Sequence, residues 1–393
     1  MKKLDLRNVS KELILIFDII NKEQTILKEM TINEDSYNWD HLINLSIHHR
    51  VFSYIYPKIK ALNCIPSRVH QVLLQQYKSS TIKMLHFIAE MKHINTAFNL
   101  CNIPLLFLKG PILAKSLYGD ISLRTSCDID VLIPIEDLKL AEKMLLELGY
   151  VKEDYIETIL NDWKWRHHHL TFFHPEKGIK FELHWRLGPG PGVEPTFNEL
   201  WKRRRESDIT GSNPVCYLGV EDLFVFLVSH GARHGWSRLR WLLDIKKIVN
   251  QGIDSDLLLP LLRKYQSSHL AGQALILTSS ILGTTIPANL QKLMDGRKPI
   301  LLAQRTLFYF EREINLHSEP LDKDISVYHG RYLMSLKTVK QKILFFLSCL
   351  HPYSTDLKTL PLPKPLHFLY FPLRPFLWLF RYRRNTILLG KRG

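Results

Sequence analysis

Cys127-Asp128-Ile129-Asp130-Val131-Leu132-Ile133 decides the reading of this chain. Apart from its two acids the run is apolar, and it reads as a short buried strand. Residues i and i+2 of a strand share a face, so both carboxylates point the same way. Two like charges that also lose hydration repel each other, and something cationic should compensate them. A divalent metal is the natural candidate. Farther along, Lys180-Phe181-Glu182-Leu183-His184 supplies a third acid in a second strand-like run. Two acids plus one on neighbouring strands suit two-metal phosphoryl transfer. The competing reading, ordinary acids at a strand end, suits an isolated Asp-x-Asp better than one in these surroundings.

Those surroundings alternate strand and helix. Ile103 to Leu108 is a continuous apolar run that ends at Lys109-Gly110-Pro111, a buried strand followed by a turn. Pro111 suits the first position of a helix from Ile112 to Tyr118, which Gly119-Asp120 ends. After the Asp-x-Asp strand comes a helix near Ile135 to Leu148, stopped by Gly149. Leu170 to Phe173 and Ile179 to His184 form a hairpin around Pro175-Glu176-Lys177-Gly178. The expected fold class is therefore α+β, a small mixed-sheet core of residues 101–190. Residues 1–100 read as an N-terminal helical region: Leu13, Ile16, Phe17 and Ile20 fall at helical spacing, Asp40 is a candidate cap, and Pro66-Ser67 opens a long periodic run. Gly188-Pro189-Gly190-Pro191-Gly192 marks a module boundary. Residues 191–350 read as a C-terminal helical region, strongest from Glu221 to Val249, and residues 351–393 as a Pro-rich, basic, aromatic tail.

Bulk properties exclude several classes. The chain has 393 residues, 46% of them hydrophobic, enough for a sizeable core. Five cysteines, scattered and without a CxxC pair, argue against a disulfide scaffold and for a reducing cytoplasm. Asp5, Lys11 and Glu12 interrupt any apolar core of a signal peptide. No stretch is long and apolar enough for an ordinary transmembrane helix. The net charge is +15, and residues 330–393 carry +11 of it, with 12 Lys/Arg against one acid, Asp356. Such a tail favours anionic partners, but it lies far along the chain from the acids.

The motifs together resemble a known family. Leu108-Lys109-Gly110, Tyr118-Gly119-Asp120, Arg124, Asp128-Ile129-Asp130 and Glu182-Leu183-His184-Trp185 are similar to the bacterial family of uncharacterised nucleotidyltransferases, within the DNA polymerase beta-like nucleotidyltransferase superfamily. The likeness continues through His230-Gly231-Ala232-Arg233-His234-Gly235-Trp236 and Arg238-Leu239-Arg240-Trp241-Leu242-Leu243-Asp244. The chain departs from the superfamily pattern at Pro111, where a Ser or second Gly is usual, and in a longer gap from Gly110 to Asp128.

The resemblance implies transfer of an NMP group from an NTP to an acceptor, with release of pyrophosphate. It implies that Asp128, Asp130 and Glu182 hold two Mg²⁺ or Mn²⁺ ions roughly 4 Å apart, for which hard oxygen ligands are suited. Glu182 is also a candidate base. Lys109, Gly110 and Arg124 are candidate phosphate contacts, with a solvated lysine and an ion pair of Arg124 to Asp120 or Asp128 as the plainer readings. His184 shares a face with Glu182 and is placed to orient it. His230 and His234 stand at i, i+4, but Gly231 replaces the glutamate of a zinc HExxH motif, so packing near the acceptor is the expectation. Arg238, Trp241 and Asp244 complete the candidate acceptor residues. His167-His168-His169 in an extended chain do not all point one way, which argues against a metal cluster.

Three functions compete on these residues. The leading one is a metal-dependent nucleotidyltransferase acting on a small molecule, peptide or saccharide, in natural-product or polysaccharide biosynthesis. The second is an inactive scaffold that kept the fold, and the third an RNA-directed transferase. In the tail, His367 to Arg384 interleaves aromatics with arginines. That pattern suits an anionic membrane surface, with single-stranded nucleic acid the weaker alternative and packing on the protein body the plain one. The corresponding location is the cytoplasm, peripheral at the inner face of the membrane.

Overall fold

The computed structural model describes residues 4–28, 34–153, 156–211, 213–316 and 320–390. Its centre is a seven-stranded mixed sheet: β1 (Leu106–Phe107), β2 (Asp128–Leu132), β3 (Val151–Lys152), β4 (His169–His174), β5 (Ile179–His184), β6 (Arg205–Ser207) and β7 (Val215–Tyr217). Their spatial order is β3-β4-β5-β2-β1-β7-β6. The pairs β2/β5 and β1/β7 are parallel and the others antiparallel. The expected α+β core is thus present, and β6 and β7 extend its sheet past the Gly188–Gly192 run into a region the sequence presents as helical. Both are three residues long, too short for a visible alternation.

The two faces of the sheet explain the strand sequences. Ile129, Val131 and Ile133 of the β2 segment, with Phe181 and Leu183 of β5, pack in one apolar cluster. Against them lie Phe87, Met91, Ile94 and Phe98 of helix α1 (Ser67–Leu100) and Ala141, Met144 and Leu145 of α2 (Leu138–Glu147). The alternate residues therefore face the other way: Asp128 and Asp130 on β2, and Lys180, Glu182 and His184 on β5.

A second apolar cluster joins the N-terminal helices to α3 (Val220–Arg233), α4 (Leu239–Gln251) and α5 (Ser268–Leu282). The cap of the helix Trp39–His48 is Asn38, whose Oδ1 accepts from His41 N at 3.1 Å, and Asp40 sits in the first turn. The run from Glu221 to Val249 is two helices, broken where Gly235 and Trp236 take φ of +60° and +52°. The reversal tucks the Trp236 indole, which is fully buried, under α3. Gly231 makes room for it: a Cβ there would lie 2.4 Å from Trp236 Cζ3. Gly231→Ala should therefore destabilise the protein by ~1–3 kcal/mol through overpacking, read as a lower midpoint of denaturant unfolding.

After helix α6 (Val339–Leu350), the chain ends in α7 (Tyr370–Gly390). Arg166 anchors this part to the core. Its Nη2 donates to the carbonyls of His351 at 3.2 Å and Pro352 at 3.3 Å, and its guanidinium lies 3.7 Å from the Tyr353 ring centre. Buried Asp356 pairs with Arg374 and Arg381 at 2.7 Å each. No helix among the described residues is long and apolar enough to cross a membrane.

Candidate active site

Parallel pairing of β2 with β5 sets Asp130 directly opposite Glu182. Four cationic or imidazole contacts surround this pair. Lys109 Nζ is 3.1 Å from Asp130 Oδ1, and His184 Nε2 is 3.3 Å from the same oxygen and 3.4 Å from Glu182 Oε2. Lys180 Nζ is 2.9 Å from Glu182 Oε1. Asp130 has no solvent exposure, and its Oδ2 has no hydrogen-bond partner among the described residues. An orphaned buried carboxylate oxygen is costly unless a cation uses it.

The electrostatics follow from this packing. Burial, and then the negative charge of Asp130, raise the Asp128 carboxyl above its ordinary value. For Asp130 burial opposes ionisation, but the Lys109 ammonium and the His184 hydrogen bond outweigh it and hold the carboxyl below the usual range. Burial also opposes ionisation of Glu182, and His184, with His169 and Lys109, pulls it far below. His184 shifts upward, because its bonds to Asp130 and Glu182 overcome its burial.

Ligand atoms of Asp130, Glu182 and His184 lie within 4.8 Å of one another, a spacing that fits a metal ion. Asp128 stands beside this trio, with Ser126 Oγ donating to its main-chain oxygen at 3.1 Å and lying 3.4 Å from its Oδ1. Gly110 opens the next short helical stretch with φ +77°, a backbone that a side chain would strain.

The remaining sequence candidates separate. Arg124 is a buried bidentate partner of Asp244, with Nε–Oδ1 at 2.8 Å and Nη2–Oδ2 at 2.9 Å. Tyr118 OH also donates to Asp244 Oδ1, at 2.7 Å. The partner is neither Asp120 nor Asp128, because α4 crosses behind the segment that enters β2. Arg240 on the same helix donates through Nη1 to Thr125 O at 2.5 Å, fixing that segment a second time. Arg124 and Asp244 thus position the acid strand, and the Arg124 donors are committed away from a phosphate. Arg238 donates to His48 O at 2.7 Å and Asn315 Oδ1 at 2.6 Å, tying helices together. The His230 and His234 rings meet at a tilt of 48° with centres 4.6 Å apart, and Trp241 packs 5.4 Å from each.

A cleft of about 1060 Å³ opens past His168 and His169, which stand between it and the acid group; the three acids themselves do not line it. Phe226, His230 and Arg233 of α3, His168 and His169, and the Gly188–Gly192 run line it. That run is held by Glu194, which accepts from Arg186 Nε at 2.5 Å and from Gly188 N at 3.2 Å. The Gly-Pro run therefore builds a wall of the cleft. Arg233 makes no hydrogen bond among the described residues. Burial lowers its pKa to about 10, against the favourable charges of Glu182 and Glu194. Arg233, Lys180 and Arg240 are cations close to the acids or to the segment that carries them, and the sequence did not single them out. For Lys180 the signal was there, two residues before Glu182 on the same strand face.

The mixed sheet with flanking helices makes this an α+β protein that carries its paired acids and basic neighbours on one sheet face. A family model described as an uncharacterised nucleotidyltransferase matches residues 35–283, and the chain belongs to that family. The match includes all three acids and the 230–244 segment. No curated protein matches the chain significantly.

Removing one partner of a buried ion pair strands the other. Asp244→Ala should cost about 3–5 kcal/mol of stability, whereas Arg124→Met/Asp244→Leu, which removes both charges, should recover part of it. Equilibrium denaturation of the two variants checks this.

Proposed function

We propose that this protein transfers an NMP group from an NTP to a hydroxyl or similar acceptor, with release of pyrophosphate, and that Asp128, Asp130 and Glu182 hold Mg²⁺ or Mn²⁺. The observation that carries the reading is the facing pair of Asp130 and Glu182 with the buried, unpartnered Oδ2 of Asp130. The oxygen-rich donor set fits a hard divalent ion. Such an ion, when bound, neutralises phosphate charge and acidifies a coordinated hydroxyl.

The protein's own groups supply the rest. Lys109 approaches from the Gly110 turn and Arg233 from α3, two cations flanking the acids from different elements and suited to clamp a triphosphate. Gly110 permits close approach of main chain to phosphate. His184 bridges Asp130 and Glu182 and fixes their orientation. Glu182 is held so firmly ionised that it serves as a ligand better than as a proton acceptor near neutral pH. The cleft past His168 and His169 takes the acceptor, a small molecule, peptide or saccharide, with Phe226, His230 and the Gly-Pro wall against it.

The test is incubation with Mg²⁺ or Mn²⁺, each α-labelled NTP and an extract of the host cell. Wild type should label an acceptor or release pyrophosphate, and Asp128→Ala/Asp130→Ala should lose at least about 100-fold, equivalent to a few kcal/mol of transition-state stabilisation. Failure of wild type to bind any NTP with metal present would favour the scaffold, for which Pro111 at the start of the short helical stretch is the best argument. Tight RNA binding with a steep salt dependence would favour an RNA acceptor.

We also infer a peripheral position at an anionic membrane surface, on the cytoplasmic side. The root of the tail is fastened to the body through Arg166 and the Lys358–Glu157 ion pair. Beyond it, Phe346 and Leu347 of α6 and Phe376, Trp378 and Phe380 of α7 are all more than half exposed. Apolar side chains clustered among basic ones suit a bilayer interface. The side chains of Arg383 and Arg384 lie outside the described residues. Wild type should co-sediment with phosphatidylglycerol-containing vesicles but not with pure phosphatidylcholine, and Phe376→Ser/Trp378→Ser should lose most of that binding. No co-sedimentation with either vesicle refutes the placement.

A further inference from the structure

A second set of nitrogens lies beside the acids on the same sheet face. His169 pairs in register with His184 across β4 and β5, so their side chains share that face. Strict alternation would send His168 to the opposite face. It does not, because the ladder breaks there: Trp185 N and Arg186 N both donate to His168 O, at 3.0 and 3.4 Å. Two residues facing one is a β-bulge, and it re-aims the neighbouring side chain. The His168 and His169 rings come within 4.3 Å, centre to centre, and lie 5.5 and 4.9 Å from the His184 ring. His167, one residue earlier, is exposed and takes no part.

We propose that His168, His169 and His184 form a binding site for a borderline divalent ion such as Zn²⁺, beside and chemically distinct from the oxygen-lined Mg²⁺ site of Asp128, Asp130 and Glu182. One ligand nitrogen from each lies within 4.8 Å of the others. A tetrahedral zinc with bonds of about 2.0–2.1 Å sets its nitrogens roughly 3.3 Å apart. His168 Nε2 and His169 Nδ1 already stand at 3.1 Å, so a small rotation of the rings completes the triangle. An independent observation points the same way. His184 is 3% exposed, and its Nδ1 is buried with no hydrogen-bond partner among the described residues. A buried ring nitrogen is rarely left unsatisfied without a function. Imidazole ligands favour zinc over magnesium. His168 and His169 also line the cleft, which gives an ion an entry path and room for a fourth ligand. Bound there, it would clamp the β4/β5 edge and fix the ring that bridges Asp130 and Glu182.

The proposal does not depend on the transferase reading, and its test needs no turnover. The full chain is titrated with Zn²⁺ against a chromophoric chelator in excess Mg²⁺, and zinc-loaded wild type is measured by X-ray absorption. Wild type should take up zinc in competition with the chelator, show imidazole-type scattering from three nitrogens, and melt at higher temperature when loaded. His168→Gln/His169→Gln should weaken zinc by more than the ~10–100-fold typical of losing an outer-shell partner. Asp128→Asn should leave zinc affinity within a few-fold of wild type. Unchanged affinity in the double histidine variant overturns the site. So does an absorption spectrum with fewer than three imidazoles, a readout that holds even where the double variant fails to fold.

Discussion

Asp130 is a carboxylate buried in the middle of a sheet, and much of the architecture answers to it. A charge in that position needs partners within a few ångströms, since burial alone would neutralise it. Lys109 arrives from the end of β1 and His184 from the end of β5, and both reach the same oxygen. For both to do so, β2 must lie between β1 and β5, as it does. The clamps behind the strand serve the same end. Asp244 grips Arg124 and Arg240 grips Thr125, so the segment leading into β2 is fixed by a helix more than a hundred residues later in the chain. Stability and chemistry are coupled here, because the pairs that hold the strand also set the height of its carboxylates.

The legible part of this protein was what repeats on a short period. The alternation in Asp128-Ile129-Asp130-Val131 and in Lys180-Phe181-Glu182-Leu183-His184 gave one apolar and one polar face, and the structure shows those faces. The Gly-Pro hairpin before Ile179, the Pro111 helix start and the Gly149 stop were equally readable, since each rests on a backbone preference of a single residue. What sequence could not supply was partner choice. Spacing offers Arg124 two acids, Asp120 and Asp128, yet the crossing of α4 gives it Asp244. Arg238, Trp241 and Asp244 look alike on a helical wheel, yet they face a helix junction, a histidine pair and a buried arginine. Strands β6 and β7 were invisible because three residues are too few for a period.

The histidines show a related limit. A rule that extended chains alternate would put His167 and His169 on one face and His168 on the other, yet it is His168 and His169 that join the cluster. His168 escapes because a bulge interrupts the ladder, and a bulge is a property of two strands together. Likewise, the Gly188–Gly192 run reads as a linker from composition, but Glu194 folds it back onto Arg186 and makes it a wall. Glycine and proline there shape a surface of the cleft.

The family match ends at residue 283, whereas the outer side of the cleft includes Phe345 and Tyr353, fastened to the core through Arg166. The acids therefore lie inside the matched region and the far wall outside it, the two parts joined by Arg166 and by the Lys358–Glu157 ion pair. A change in the segment beyond residue 283 can thus reshape the mouth of the cleft while leaving the sheet that carries the acids as it is.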